Sequence, residues 1–171
     1  MPTALYRFIL AIALLLPMAA HAGDAEDFAA ANPVQQAKLL EAWAAQPDPA
    51  RIELLNALQQ GQLSIDGEAK ALRLNNRLRG LIDTALASHQ LLAADANLRL
   101  AAAQQLQKSA KPAQLKFLDQ RLAGEQDEKV HAALSLALAN LQLVDGDPAV
   151  RLAAVRLLGE TGDPLARTRL E

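Results

Sequence analysis

The chain has 171 residues, a formal net charge of −2 and no cysteine. Without cysteine it can form neither a disulfide nor a thiolate metal site, and no lipid can be attached through a cysteine. A mildly acidic chain also lacks the clustered Lys and Arg that bind a phosphate backbone, so no nucleic-acid partner is expected.

The N-terminal segment has the pattern of a secretory signal peptide. Arg7 precedes an apolar run over residues 8–16, which is followed by Pro17 and the small-residue stretch Ala20-His21-Ala22. The run is shorter than the ~20 apolar residues that a transmembrane helix needs. We therefore expect residues 1–22 to be removed on export, which leaves one mature domain at residues 23–171, with 16 basic and 19 acidic residues.

The mature sequence predicts an all-α domain. Ala, Leu, Gln, Arg and Glu dominate it, whereas the β-branched and aromatic residues that favour strands are scarce. Asn32-Pro33, Asp48-Pro49, Asp147-Pro148 and Asp163-Pro164 each place a capping side chain before a proline, which is typical of a helix start. We predict helices at about 24–31, 33–46, 49–60, 75–92, 96–109, 112–123, 128–142, 148–160 and from 164 to the end.

Residues 61–72 depart from the helical pattern. Asp66-Gly67 lies between two short, partly alternating segments, and Asp-Gly suits the positive φ values of a tight hairpin turn. The segment therefore predicts one small β-hairpin, and two strands alone are only marginally stable. We expect the hairpin to pack on neighbouring helices.

An internal repeat is visible at an offset of 52 residues, which aligns Asp95 with Asp147 and the run 99–102 with 151–154. The same offset aligns Pro112 with Pro164 and Leu118 with Leu170, and a third copy of the first helix starts at Asp127, with His131 in the place of the repeated arginine. Chance similarity between Ala- and Leu-rich helices is the alternative, but it does not explain the shared Asp, Arg and Pro. Each copy carries one apolar stripe, and stacking helix pairs into an α-solenoid buries such stripes.

The repeated residues resemble HEAT repeats. Asp147-Pro148-Ala149-Val150-Arg151, together with Ala154 and Leu158-Gly159, matches the signature with which the first helix of such a repeat opens. In that family the Asp and Arg link neighbouring repeats. The resemblance therefore implies a HEAT-like solenoid in which Asp95, Arg99, Asp147 and Arg151 form a structural repeat ladder, weakened in the middle by His131.

The signal peptide, residues 74–79 and residues 95–103 resemble the long exported N-terminal region of urea ABC transporter permeases, which belong to the branched-chain amino acid permease class. In that family a membrane-spanning permease follows this region, and its partners are a second permease subunit, two ATPases and a periplasmic urea-binding protein. The resemblance implies a periplasmic domain attached to the inner membrane through a C-terminal part. The predicted helix from 164 stops after about two turns, which we interpret as truncation before that part.

The sequence offers no catalytic, cofactor-binding or metal-binding constellation. Removal of the signal takes His21 and leaves two distant histidines, His89 and His131. The acidic clusters at 24–27 and 125–128 lie at predicted helix starts, where they favour the positive end of the helix dipole. No serine lies in a G-x-S-x-G turn, and no glycine-rich phosphate loop occurs.

Trp43 is one of three aromatic residues that the mature chain keeps. It either fills the core with Val34, Leu39 and Leu40 or anchors a protein interface. Since solenoids present extended surfaces, we expect a docking or scaffolding module of the urea permease that is not itself an enzyme. A free-standing periplasmic HEAT-repeat scaffold is the alternative, whereas a solute-binding protein or enzyme subunit fits less well because the alternating strands of a two-lobed binding protein are missing.

Overall fold

The computed structural model describes residues 22–65 and 68–160, and these are mostly helical. The all-α prediction is confirmed. Short 3₁₀ turns at Pro49–Arg51 and Pro112–Gln114 lead into α3 and α6. In chain order the helices are α1 (Ala22–Ala30), α2 (Pro33–Ala45), α3 (Ile52–Gln59), α4 (Asn76–Gln90), α5 (Ala96–Ser109), α6 (Leu115–Gly124), α7 (Glu128–Gln142) and α8 (Pro148–Glu160). None of these helices is long and apolar enough to cross a membrane.

Three of the four predicted Asn-Pro and Asp-Pro starts are capped as expected. The Asn32 side chain accepts from the amides of Val34 and Gln35, each at 3.0 Å, and Asp48 accepts from Ala50 at 3.0 Å. Asp147 accepts from the Ala149 amide at 2.8 Å. These side chains satisfy backbone donors that the first helical turn leaves free. The predicted signal peptide, the Asp66-Gly67 turn and the start at Asp163-Pro164 lie outside the described residues.

The hairpin predicted between α3 and α4 is present as two antiparallel strands, β1 (Gln62–Ile65) and β2 (Glu68–Ala71). Gln62 lies opposite Ala71, and Ile65 lies opposite Glu68. Gly61 precedes β1 with a φ of +73°, a conformation that glycine adopts without a steric cost. Because Leu63 is completely buried among helices α1 to α4, the hairpin is fixed by its packing.

The helices pack in a row in which α2 contacts α4, α4 contacts α5, α5 contacts α7 and α7 contacts α8. Helices α3 and α6 lie against α4 and α7, respectively. Two main hydrophobic cores result. The first is centred on Phe28, Leu40, Leu55, Leu63 and Ile82, and the second on Leu106, Leu118, Val130, Leu134 and Ala137.

The structure extends the 52-residue correspondence to whole helical hairpins. Helix α4 aligns with α7 at this offset, both have 15 residues, and α5 aligns with α8. Ala87, Leu91, Ala102 and Leu106 share one core in the α4–α5 hairpin. Their counterparts Ala139, Leu143, Ala154 and Leu158 are the same residue types and share a core in the α7–α8 hairpin. The sequence relates α7 to α5 and α8, and the structure adds α4 as the counterpart of α7 at the 52-residue offset.

Candidate functional site

Asp95 and Asp147 of the predicted repeat ladder act as helix N-caps. Asp95 Oδ1 accepts from the Asn97 amide at 2.8 Å, as Asp147 Oδ1 does from Ala149. Both bonds stay within one helix, and a cap of this kind contributes about 1 kcal/mol. Among the described residues these two carboxylates make capping bonds and no direct bond to a neighbouring repeat, so their expected linking role is corrected to a capping role.

Arg99 and Arg151 occupy equivalent positions and make equivalent bonds. Arg99 Nη1 donates to the carbonyls of Ala93 and Ala94 at 3.0 and 2.7 Å. Arg151 Nη1 donates to the carbonyls of Asp145 and Gly146 at 2.6 and 3.1 Å. Each arginine therefore fixes the loop that precedes its own helix. This shared geometry supports the 52-residue repeat independently of the residue match.

A buried ion pair joins α5 to the start of α7. Arg99 Nε and Nη2 donate to Glu125 Oε2 and Oε1 at 2.8 and 2.9 Å, and the Glu125 side chain is 2% exposed. Glu125 Oε1 also accepts from the amides of Gln126 and Asp127, each at 3.0 Å. The hydrogen bonds from Arg99 are the main reason that the pKa of Glu125 falls to about 2. Glu125 raises the pKa of Arg99 in turn.

Glu125 is thus the acidic partner in the link between neighbouring elements that the sequence had assigned to Asp95 and Asp147. Sequence reasoning had placed Glu125 among acids that only favour a helix dipole. Its distance of 26 residues from Arg99 gives no local pattern that pairs them. The charges of Asp127 and Asp95 also raise the pKa of Arg99, but more weakly than Glu125 does.

A second polar link joins α5 and α7 further along both helices. Gln107 Nε2 donates to the carbonyl of Ala133 at 3.1 Å, and Asn140 Nδ2 donates to the carbonyl of Gln107 at 3.1 Å. Arg99 and Glu125 meet near the N-terminal ends of the two helices, whereas Gln107, near the C-terminal end of α5, contacts α7 between Ala133 and Asn140. The order of these contacts shows that α5 and α7 run parallel.

Buried polar groups also join α4 to the turn before α6. Gln114 Nε2 donates to Ser88 Oγ at 2.7 Å, and Gln114 Oε1 accepts from the Lys111 amide at 2.7 Å. A cavity of about 300 Å³ lies beside Gln114, between α2, α4 and this turn. Because both ends of the Gln114 amide are engaged, that side chain is occupied in holding the fold.

The two histidines retained after signal removal lie apart. His89 is 1% exposed, its Nδ1 donates to the Ala85 carbonyl at 2.8 Å, and burial lowers its pKa. His131 is exposed on α7. Within the described ranges no group of three or more His, Cys, Asp or Glu side chains is placed to hold a metal ion.

Trp43 is a core residue, and the hypothesis that it anchors an interface is wrong. It is 5% exposed and stacks on Phe28, with ring centroids 6.0 Å apart. The Arg51 guanidinium lies 5.8 Å from its ring centroid and is itself bound to Asp24 at 2.6 Å. Leu40 shares this core as expected, but Val34 is 64% exposed because it lies at the solvent side of the first turn of α2.

Within the described residues, exposed apolar side chains follow one another along α8 of the α7–α8 hairpin. We define the α8 face as Leu152, Val155 and Gly159, which follow each other at helical spacing beside Arg151. Leu152 is 51% exposed and Val155 is 38% exposed. Leu157 is also 38% exposed but points to another side of the helix. An apolar stripe beside a guanidinium is suited to contact with protein.

The chain matches no protein-family model, and no curated protein or solved structure is significantly similar to it.

Proposed function

We propose that this chain is the periplasmic N-terminal helical region of a urea ABC transporter permease, and that it serves transporter assembly or the docking of partner proteins for urea uptake. The proposal is supported by the signal-peptide pattern and by the resemblance of residues 74–79 and 95–103 to that region. The expected partners are the periplasmic urea-binding protein and the second permease subunit. The ATPases would be reached only through a membrane part of the protein.

The single observation that carries the docking role is the α8 face. Leu152 and Val155 are exposed on a helix whose core-facing stripe, Ala154 and Leu158, is 2% exposed at each residue. Exposed apolar side chains in a row are costly in water unless a partner covers them. Hydrogen bonds between elements engage the polar side chains of Glu125, Arg99 and Gln114, so these side chains hold the fold together.

Sequencing the gene past the codon for Glu171 tests the attachment to a permease. The proposal expects the reading frame to continue past the codon for Glu171 into several apolar runs of about 20 residues each. A stop codon directly after Glu171 would overturn the permease assignment and would favour the free-standing periplasmic scaffold.

The docking role is tested in the intact transporter. Deletion of residues 23–160, with the signal and the membrane part kept, should lower the amount of assembled complex or its capture of loaded urea-binding protein. Val155→Lys should reproduce part of that loss, because it places a charge on the α8 face. Val34→Lys is the matched control, since Val34 is an exposed valine on α2, outside the α8 face. Normal assembly and capture after the deletion would overturn the docking role.

A further inference from the structure

The α8 face has a covered counterpart in the α4–α5 hairpin. At the 52-residue offset, Leu152, Val155 and Gly159 correspond to Leu100, Ala103 and Gln107 of α5. Ala103 is completely buried, Leu100 packs against the second core, and Gln107 is hydrogen bonded to α7. The structure therefore contains one example of the element that covers this face, and that element is α7 with the loop before it.

The arginine beside the face shows the same difference between the two copies. Arg99 uses Nη1 for the loop carbonyls and turns Nε and Nη2 to Glu125. Arg151 uses Nη1 in the same way, whereas no carboxylate within the described ranges binds its remaining nitrogens. The free edge of a guanidinium matches a carboxylate in bidentate geometry.

We propose that the α8 face binds a helix of a partner protein that resembles α7 and is preceded by a Glu or Asp in its entering loop. This inference rests on the proposed docking role and specifies the chemistry of the partner. The partner helix runs parallel to α8, because α7 runs parallel to α5. Its acid meets Arg151, and its small and branched apolar side chains, in the pattern of Val130, Ala133, Leu134 and Ala137, cover Leu152 and Val155.

Gly159 adds a specific test of this geometry. Its counterpart Gln107 is the side chain that bonds to α7, and a Cβ added at Gly159 would meet no atom within 4 Å. Glutamine is also a better helix former than glycine. Gly159→Gln should therefore fit without strain and should add a hydrogen bond to an α7-like helix, and Gly159→Ala controls for the gain in helix propensity.

The experiment uses a labelled peptide of this chain's residues 122–142, which holds Glu125 and α7, titrated against the mature chain 23–171 with fluorescence anisotropy as the readout. We expect saturable binding that weakens about tenfold or more on Val155→Lys in the chain or on Glu125→Gln in the peptide. Gly159→Gln should tighten binding roughly threefold relative to Gly159→Ala. Val34→Lys should leave binding unchanged.

A second measurement covers the case of a peptide that does not fold alone. A copy of residues 111–142 is joined after Gly162, in the place of residues 163–171, and hydrogen exchange of α8 is compared with and without Val155→Lys. We expect slower exchange in α8 with the added copy, and loss of that protection with Val155→Lys. Absence of both peptide binding and protection would overturn the inference.

Self-association of the unmodified chain that Val155→Lys abolishes would also overturn it, in favour of a second copy as the occupant. Failure of the inference is distinct from failure of the docking role. If deletion of residues 23–160 impairs the transporter while both α8 measurements are negative, docking stands and uses another surface.

Discussion

Replacement of Glu125 by Gln tests the contact that holds α5 to α7. Glutamine keeps the shape of the side chain and can still accept from the amides of Gln126 and Asp127, but it carries no charge for Arg99. The variant therefore removes the charge and leaves most of the packing in place.

The size of the effect follows from the pKa of Glu125. Folding lowers it from 4.5 to about 2, and each pKa unit corresponds to about 1.4 kcal/mol. The ionised carboxylate thus stabilises the fold by about 3 kcal/mol at neutral pH, a large share of the ~5–15 kcal/mol typical of a domain. Because the folded-state pKa is lowered, this contribution is present above pH 4.5 and is lost as the pH falls toward 2.

The assay is urea denaturation of the mature chain, followed by circular dichroism. At pH 7 we expect Glu125→Gln to lower the free energy of unfolding by about 2–3 kcal/mol, and at about pH 3 the difference should shrink to about 1 kcal/mol. Glu26→Gln is the control, because Glu26 is exposed on α1, and its effect should stay within about 0.5 kcal/mol. A difference for Glu125→Gln that is small at pH 7, or that grows as the pH falls, would refute the reasoning.

Three further outcomes are expected. Arg99→Ala should cost about 3 kcal/mol of unfolding free energy, because it leaves the buried Glu125 with two backbone amides and a longer 3.5 Å contact to Arg121. Arg151→Ala should cost about 1 kcal/mol, because among the described residues Arg151 binds loop carbonyls and no carboxylate. Equal costs in denaturation would show that an acid does not distinguish the two arginines. Burial lowers the pKa of His89, so its neutral form is favoured in the fold and stability should be lost as the pH falls below 6.5. Thermal melts at pH 7 and pH 5 should show that His89→Leu loses less stability between these pH values than the unsubstituted chain does. Leucine is the residue at the equivalent position 141. The control His131→Gln, at an exposed site, should lose as much stability as the unsubstituted chain. Intact-mass analysis of exported protein should find Gly23 at the N-terminus, and a retained Met1 would contradict the signal-peptide prediction.

Local patterns were sufficient to predict the helices and the two strands that lie within the described residues. A cap such as Asn32 acts on amides two and three residues away, and Asp-Gly acts within one turn, so both leave a signature in adjacent residues. The correspondence between Arg99 and Arg151 could also be recognised from the sequence. Each arginine binds the loop that precedes its own helix, so the same residue type occurs at the same position of both copies.

Contacts between distant elements could not be predicted in the same way. Gln114 and Ser88 are 26 residues apart, as are Arg99 and Glu125, and no local spacing distinguishes these residues from solvated polar side chains. Trp43 shows the same limit, since its environment depends on Phe28 and Arg51 reaching it from other elements. Val34 was expected in that core from its helical spacing, but its place in the first turn of α2 leaves it exposed.

The proposal that the chain docks protein and does not itself receive urea is tested most directly by calorimetry. Purified mature chain is titrated with urea alone and, separately, with the periplasmic urea-binding protein in its loaded and unloaded forms. We expect saturable binding of the urea-binding protein, weakened by Val155→Lys and unchanged by Val34→Lys, with no saturable heat from urea. Saturable binding of urea to the chain, together with no binding of the urea-binding protein, would contradict it.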